Sequence, residues 1–395
     1  MLGFGRDSLL KRQSLNLSPG RIAWRRFWAN PTGTAAFIFV GFLCFIALAG
    51  SLMTPDPTPN ANRQLLEIGT MPPGFSVNML KIPIEGNLPP VNWFDKMLFG
   101  QKDHFVYLPI EDVVFRNDSL QVRLFVAADD EPGEIKTFSL AELAGSDFVI
   151  PDTSDKTAQL KQWIEHERIV RKVFILGTDQ YGRDMLSRLM LGSRISLAVG
   201  FISVAISLII GIALGSIAGY FRGWIDDVIV WVINVVWSVP TLLLVIAITF
   251  ALGKGFWQVF IAVGLTMWVE VARVVRGQML SVREKEYAEA AVSLGFSHFR
   301  IITRHLLPNV MGPVIVISAA NFASAILIEA GLSFLGLGVQ PPVPSWGGMI
   351  KENYAYIILD AAYLALLPGL AIMLIVLAFM LIGNALRDAL DVKQI

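Results

Sequence analysis

One charged stretch interrupts the apolar second half of this chain, and its residue types suit docking rather than bond-making. It reads Glu286-Tyr287-Ala-Glu289-Ala290-Ala291-Val-Ser-Leu294-Gly295-Phe-Ser-His-Phe-Arg-Ile-Ile-Thr-Arg-His-Leu-Leu307-Pro308. On a helix, Tyr287, Ala290, Ala291 and Leu294 share one face, and Glu286, Glu289 and Ser293 share the opposite one. Gly295 fits a helix C-terminus in the left-handed conformation. Ser297 fits the N-cap of a following helix. The spacing predicts a short amphipathic helix, a glycine break, and a second helix rising to Pro308. Small Ala290 and Ala291 permit close docking into a groove, and the flanking charges give orientation. A surface helix lying on lipid headgroups has the same pattern.

The remaining chemistry-bearing residues are few. His104, His166, His298 and His305 stand singly, with no metal-ligand spacing. Cys44 is the one cysteine, so no intramolecular disulfide forms. No catalytic, cofactor-binding or metal site is read from the sequence. Asn234, Ser238, Asn321 and Glu329, with the helix-bending Pro240, fall in apolar stretches and are candidates to line a pathway. At Glu329, near a span end, a carboxylate capping a helix or loop fits equally. Glu270 and Arg273, three residues apart, read as a local ion pair.

Composition says what must position these groups. Of 395 residues, 54% are hydrophobic and 16% charged, and the mean hydropathy is +0.58. A soluble domain typically carries about 25% charge. The 32 basic and 32 acidic residues cancel, so no basic field argues for nucleic acid. Uncharged runs at 27–55, 195–221, 228–253, 305–328 and 361–386 are long enough for spans, which need about 20 apolar residues. With a shorter run at 255–269, the chain reads as an all-α polytopic membrane protein of six transmembrane helices.

Residues 1–30 form a basic tail, expected in the cytoplasm by the positive-inside rule. The first transmembrane helix follows at 31–53. It exceeds a secretory h-region, so it reads as a retained signal-anchor, although Ala47-Leu-Ala49 resembles a cleavage site. Residues 54–176 hold 12 basic and 18 acidic residues and no span. Strand signals at Ser119–Val126, Phe105–Ile110 and Ile135–Leu140, a turn at Asp130–Gly133 and a helical pattern at Thr157–Arg171 predict a small extracytoplasmic α+β insertion. Residues 177–395 form the core, with five further spans expected at 195–221, 227–251, 256–276, 309–332 and 361–386. Six spans return the C-terminus to the cytoplasm and put 277–305 there too, in accord with its Arg and Lys residues. Gly211, Gly215 and Gly219 recur every four residues, a stripe that admits a close helix neighbour. The Gly- and Pro-rich stretch 333–360 breaks helix and lies outside.

The spacing Glu289-Ala290-Ala291, three residues, Gly295, eleven residues, Leu307-Pro308 resembles the EAA loop of ABC-importer permeases. His305 stands where isoleucine is usual, as in the oligopeptide/dipeptide/nickel branch. Gly177-Thr-Asp179-Gln-Tyr-Gly182-Arg183-Asp184, the run from Glu329 through Gly338 to Trp346-Gly347, and Leu386-Arg387-Asp388-Ala-Leu-Asp391 resemble the same branch. The likeness is to its C-type permease subunit and covers roughly 20–55 and 177–395. It leaves 56–176 unexplained.

The resemblance implies a type I ABC importer permease fold in a bacterial inner membrane. It implies a homologous second permease, two ATP-binding cassette subunits that hydrolyse ATP, and an extracytoplasmic solute-binding protein. Each ATPase would receive one coupling helix, here built from Glu286, Tyr287, Glu289, Ala290, Ala291, Leu294 and Gly295 and followed by Leu307 and Pro308. The chain itself carries no G-x-x-x-x-G-K-[ST] phosphate loop. Di- or oligopeptides are the expected cargo, with nickel complexes or other small solutes as the alternative. The insertion would dock the binding protein or the partner permease, or only stabilise the outer surface. A secondary transporter working without an ATPase would show a second copy of the span pattern, and none is found. An intramembrane enzyme would need a nucleophile–base pair or metal ligands at depth, which the spans lack.

Overall fold

The computed structural model describes residues 19–84, 89, 91–127, 132–145, 156–253 and 255–391. They form two compact units. One comprises residues up to 44, 195–340 and 369 onward, and the other residues 45–194 and 341–368.

The chain enters with α1 (Pro19–Ala29) and the apolar α2 (Pro31–Met53). In sequence order there follow β1 (Phe75–Pro83), α3 (Trp93–Phe99), β2 (Phe105–Arg116), β3 (Ser119–Leu124), β4 (Ile135–Ser139), α4 (Leu140–Ala144), α5 (Lys156–Glu167) and β5 (Ile169–Phe174). The sheet is antiparallel throughout, in the order β4-β3-β2-β1-β5. Alternation builds it: Leu120, Val122 and Leu124 of β3 turn inward, with partly exposed residues between them. Leu120 and Val122 join Leu80, Ile110, Leu140, Leu143 and Ile164 in one core. Asn117, at φ +45°, turns β2 into β3. Buried Arg168 donates to the carbonyls of Leu143 and Ala144 at 2.8 and 3.0 Å, which fills the open C-terminal end of α4.

Two strands depart from the sequence reading. The helical pattern expected to run to Arg171 stops at Glu167, because β5 pairs with β1 through Phe75↔Phe174 to Leu80↔Ile169. Strand β1 itself was not foreseen, and it lies between β2 and β5. The expected Asp130–Gly133 turn lies partly outside the described residues.

The same unit contains a buried charge cluster. Asp179 accepts from the backbone N–H groups of Tyr181 and Arg183, both at 3.0 Å, and pairs with the Arg183 side chain at 2.6 Å. Arg183 also reaches Glu352 at 2.6 Å, and Arg188 reaches Glu352 at 3.3 Å. Beside it, burial pushes the Asp184 carboxyl above its usual range, although Ser187 donates to it.

The remaining helices are α6 (Met185–Phe221), α7 (Gly223–Trp237), α8 (Thr241–Leu252), α9 (Phe256–Arg283), α10 (Glu286–Ser293), α11 (His298–Phe334), α12 (Trp346–Asn353) and α13 (Tyr363–Leu390). Among the described residues, α2, α6, α9, α11 and α13 are each long and apolar enough to cross a membrane. The sixth expected span is not one helix. α7 and α8 meet at 92°, and the pair counts as a sixth span only if taken together. Pro240, which has no N–H to donate, N-caps α8, so the anticipated kink is a full break.

The glycine stripe packs as anticipated, against α9. A Cβ added at Gly211, Gly215 or Gly219 would lie 2.7, 2.5 and 2.8 Å from the carbonyl oxygens of Trp268, Ala272 and Arg276. Both rows have four-residue spacing, so two ridges meet backbone to backbone.

Candidate functional site

α10 stands on a platform of α9 and α11. Ala288 and Ala291 turn inward to join Tyr220, Val275, Met279, Ile301, Leu306 and Val310 in one apolar cluster. Ala291 therefore departs from the face expected to dock outward; its methyl packs inside this chain. Tyr287, Ala290 and Leu294 remain exposed, Leu294 at 72%. Glu286, Glu289 and Ser293 are exposed too, and both acids sit in the first helical turn, where the helix dipole favours negative charge.

The end of α10 follows from Gly295. At φ +72° it donates its N–H to the Val292 carbonyl at 2.9 Å, and Phe296 donates to the Ala291 carbonyl at 3.3 Å. These two bonds form the Schellman arrangement. The left-handed conformation expected at Gly295 is present, and an added Cβ meets nothing within 4 Å. The left-handed backbone alone demands it.

Ser297 precedes α11 at the N-cap position, but its side chain makes no capping bond. The Phe296 ring lies parallel to the His305 imidazole at 5.5 Å, with the Arg300 guanidinium 4.4 Å from its centroid. His298 Nδ1 and the Tyr220 hydroxyl are 2.8 Å apart, tying the start of α11 to α6. The second helix does not stop at Pro308. α11 widens to π geometry over Ile301–Leu306, where Leu307 N–H reaches the Ile302 carbonyl, and then continues to Phe334. A wider turn before Pro308 relieves the clash its ring would make with a carbonyl four residues back. Leu307 is half-buried and Pro308 exposed.

The pathway candidates divide. Asn234 accepts from Arg273 at 3.0 Å, and the Arg273 guanidinium lies 3.2 Å from the centre of the Trp237 ring. Arg273 is thus held by α7 and not by Glu270, as the three-residue spacing had suggested. Ser238 donates to the Val235 carbonyl at 2.7 Å, at the break that Pro240 makes. Asn321 and Glu329 lie in the core of α11, 1% and 0% exposed. Glu329 accepts from Ser333 at 2.6 Å. Beside the break, between α7, α8, α9 and α11, lies an open cavity of about 330 Å³. Glu270, which sequence reasoning had assigned to an ion pair, lines it, whereas Asn321 and Glu329 do not. Its signal was available: an ionisable residue inside an expected span is by default a functional candidate. No group of three His, Cys, Asp or Glu residues that could hold a metal occurs among the described residues.

Comparison with known proteins matches two stretches of the chain. A family model described as binding-protein-dependent transport system inner membrane component matches residues 211–394. A second, described as the N-terminal TM domain of oligopeptide transport permease C, matches residues 18–73. The glutathione transport system permease protein GsiD of Pectobacterium atrosepticum is 43% identical over 218 residues, 55% of this chain and 72% of that protein. The dipeptide transport system permease protein DppC of Alkalihalophilus pseudofirmus is 44% identical over 218 residues, 55% of this chain and 71% of that protein. A solved structure of the MetNI methionine ABC transporter in inward-facing conformations is 18% identical, with a TM-score of 0.45 over 52% of this chain and 98% of that one.

Proposed function

The chain belongs to the family of binding-protein-dependent transport system inner membrane components, and from that premise we propose that it is one half of a peptide pathway driven by separate ATPases. It is a transport permease subunit and not an enzyme. In this reading it pairs with a homologous second permease, and an extracytoplasmic solute-binding protein delivers the cargo. Two cytoplasmic ATP-binding cassette subunits hydrolyse the ATP. Both termini are cytoplasmic in a bacterial inner membrane. Residues 54–176 form an extracytoplasmic insertion between the first span and the 177–395 core, and dock the binding protein or the partner permease. Relatives named for dipeptides and for glutathione support a peptide cargo.

The observation that carries the coupling role is the asymmetry of α10. One side is anchored by Ala288 and Ala291, while the side bearing Glu286, Tyr287, Glu289, Ala290 and Leu294 is left uncovered. Gly295 turns the chain back into α11, so a push on α10 is delivered to a spanning helix. Leu307 and Pro308 sit where that helix returns from π to α geometry.

The test uses Glu289→Lys, an exposed charge reversal that leaves the platform intact, beside Gly295→Asp. Both lose ATPase co-purification and ATP-dependent uptake. Full retention of both activities in the two variants overturns the assignment.

A further inference from the structure

Among the described residues, Glu270 is the one charged residue lining the cavity beside the broken α7–α8 pair; it is exposed there and falls within the span expected at 256–276. It lies 14 residues after the start of α9 and 13 before its end, about 20 Å of helix on either side. Arg273, the nearest basic residue on α9, does not neutralise it: its guanidinium is stacked on Trp237 and bonded to Asn234. The cavity comes directly from the break. Trp237 and Thr241, on either side of Pro240, form one wall, and Glu270 and Ser324 stand on the helices opposite. About 330 Å³ is within the range of small-ligand sites, which combine apolar walls with a few oriented polar groups. An unpaired, exposed carboxylate in an open cavity of mixed polar and apolar lining selects for a cationic donor and binds it by charge-assisted hydrogen bonds. The hydroxyls of Thr241 and Ser324 add acceptors for the remaining protons, while Thr266 already spends its hydroxyl on the Val263 carbonyl at 2.8 Å.

We propose that Glu270 is a cargo subsite, which holds the N-terminal ammonium of a peptide as it crosses. This rests on the peptide-permease reading given above, and it predicts which end of the peptide faces this subunit.

The test is made on the intact importer, with its partner subunits, in lipid nanodiscs. Dicyclohexylcarbodiimide, which modifies carboxyl groups at membrane depth, is followed at Glu270 by peptide mass spectrometry. Alanyl-alanine slows the labelling about tenfold, and N-acetyl-alanyl-alanine, whose amine carries no charge, does not. In proteoliposomes with the binding protein, Glu270→Gln lowers alanyl-alanine uptake about tenfold, Glu270→Asp retains more uptake than Gln, and ATPase co-purification is unchanged in both. Equal protection by the two peptides, or uptake by Glu270→Gln at the wild-type rate, overturns the subsite and leaves the peptide reading standing. A wild-type importer that takes up no alanyl-alanine overturns the peptide reading, and the subsite with it.

Discussion

Arg276 of α9 grips both carboxylate oxygens of Asp226 on α7, Nε to Oδ1 at 2.5 Å and the terminal nitrogen to Oδ2 at 2.6 Å. The pair joins residues 50 positions apart in sequence, and its planar two-bond geometry is one that lysine cannot reproduce. Either reversal alone, Asp226→Arg or Arg276→Asp, places like charges together and lowers stability by roughly 1–3 kcal/mol. The double swap recovers part of that loss. Thermal unfolding of the purified complex provides the cycle; a double variant no more stable than the worse single one removes the pair from any stabilising role.

Ala290 and Ala291 are neighbours with opposite duties. Ala291→Leu forces three extra carbons into the cluster around Met279 and Leu306 and costs about 1–3 kcal/mol. Ala290→Leu points outward and leaves the stability within about 0.5 kcal/mol of wild type, while ATPase co-purification falls. Equal thermal effects from the two substitutions would contradict the orientation of α10.

At Gly295 the open space and the positive φ make separate predictions. Asparagine tolerates the left-handed region better than alanine does. Gly295→Ala therefore loses about 1 kcal/mol of local stability, and Gly295→Asn less. Hydrogen exchange of the backbone amides between 286 and 297 reads the difference. Identical protection in both variants means that the backbone angle is not what glycine supplies.

The glycine row gives a contrast within the membrane. Gly215→Val drives a branched side chain against the Ala272 carbonyl, already 2.5 Å from a bare Cβ, and prevents assembly of the complex. Gly277→Ala on α9 meets nothing within 4 Å and stabilises its helix by up to about 1 kcal/mol. Size-exclusion profiles and unfolding midpoints of the two variants separate a packing requirement from general intolerance of glycine replacement.

Local features were readable from the sequence because their causes are local. Gly295 ends α10 through its own backbone, and the four-residue glycine spacing marks a close helix contact without naming the neighbour. Four spans, α2, α6, α11 and α13, were legible from charge-free length. What escaped depends on partners far along the chain. A helical wheel places Ala291 beside Tyr287 and Leu294, but only the contact with Met279 and Leu306 decides which arc turns inward. Arg273 was paired with Glu270 by proximity in sequence, whereas its acceptor is 39 residues away. Strand β5, with Arg171 and Lys172 inside it, extends a helical charge pattern until its pairing with β1 is known. Pro240 announced a disruption, but its angle depends on what α7 and α8 pack against.

The register of the glycine row also fixes a direction. Gly211, Gly215 and Gly219 meet Trp268, Ala272 and Arg276 in ascending order along both helices, so α6 and α9 run parallel. Two parallel spans cannot be consecutive crossings; the chain has to return through the full thickness of the bilayer between them. Only α7 and α8 are available for that return. Their 15 and 12 residues, set at 92°, form two legs of about 22 and 18 Å, whose ends are about 29 Å apart, close to the hydrocarbon thickness of about 30 Å. Taken together, the bent pair has the reach of one traverse, and the 92° break sits within it.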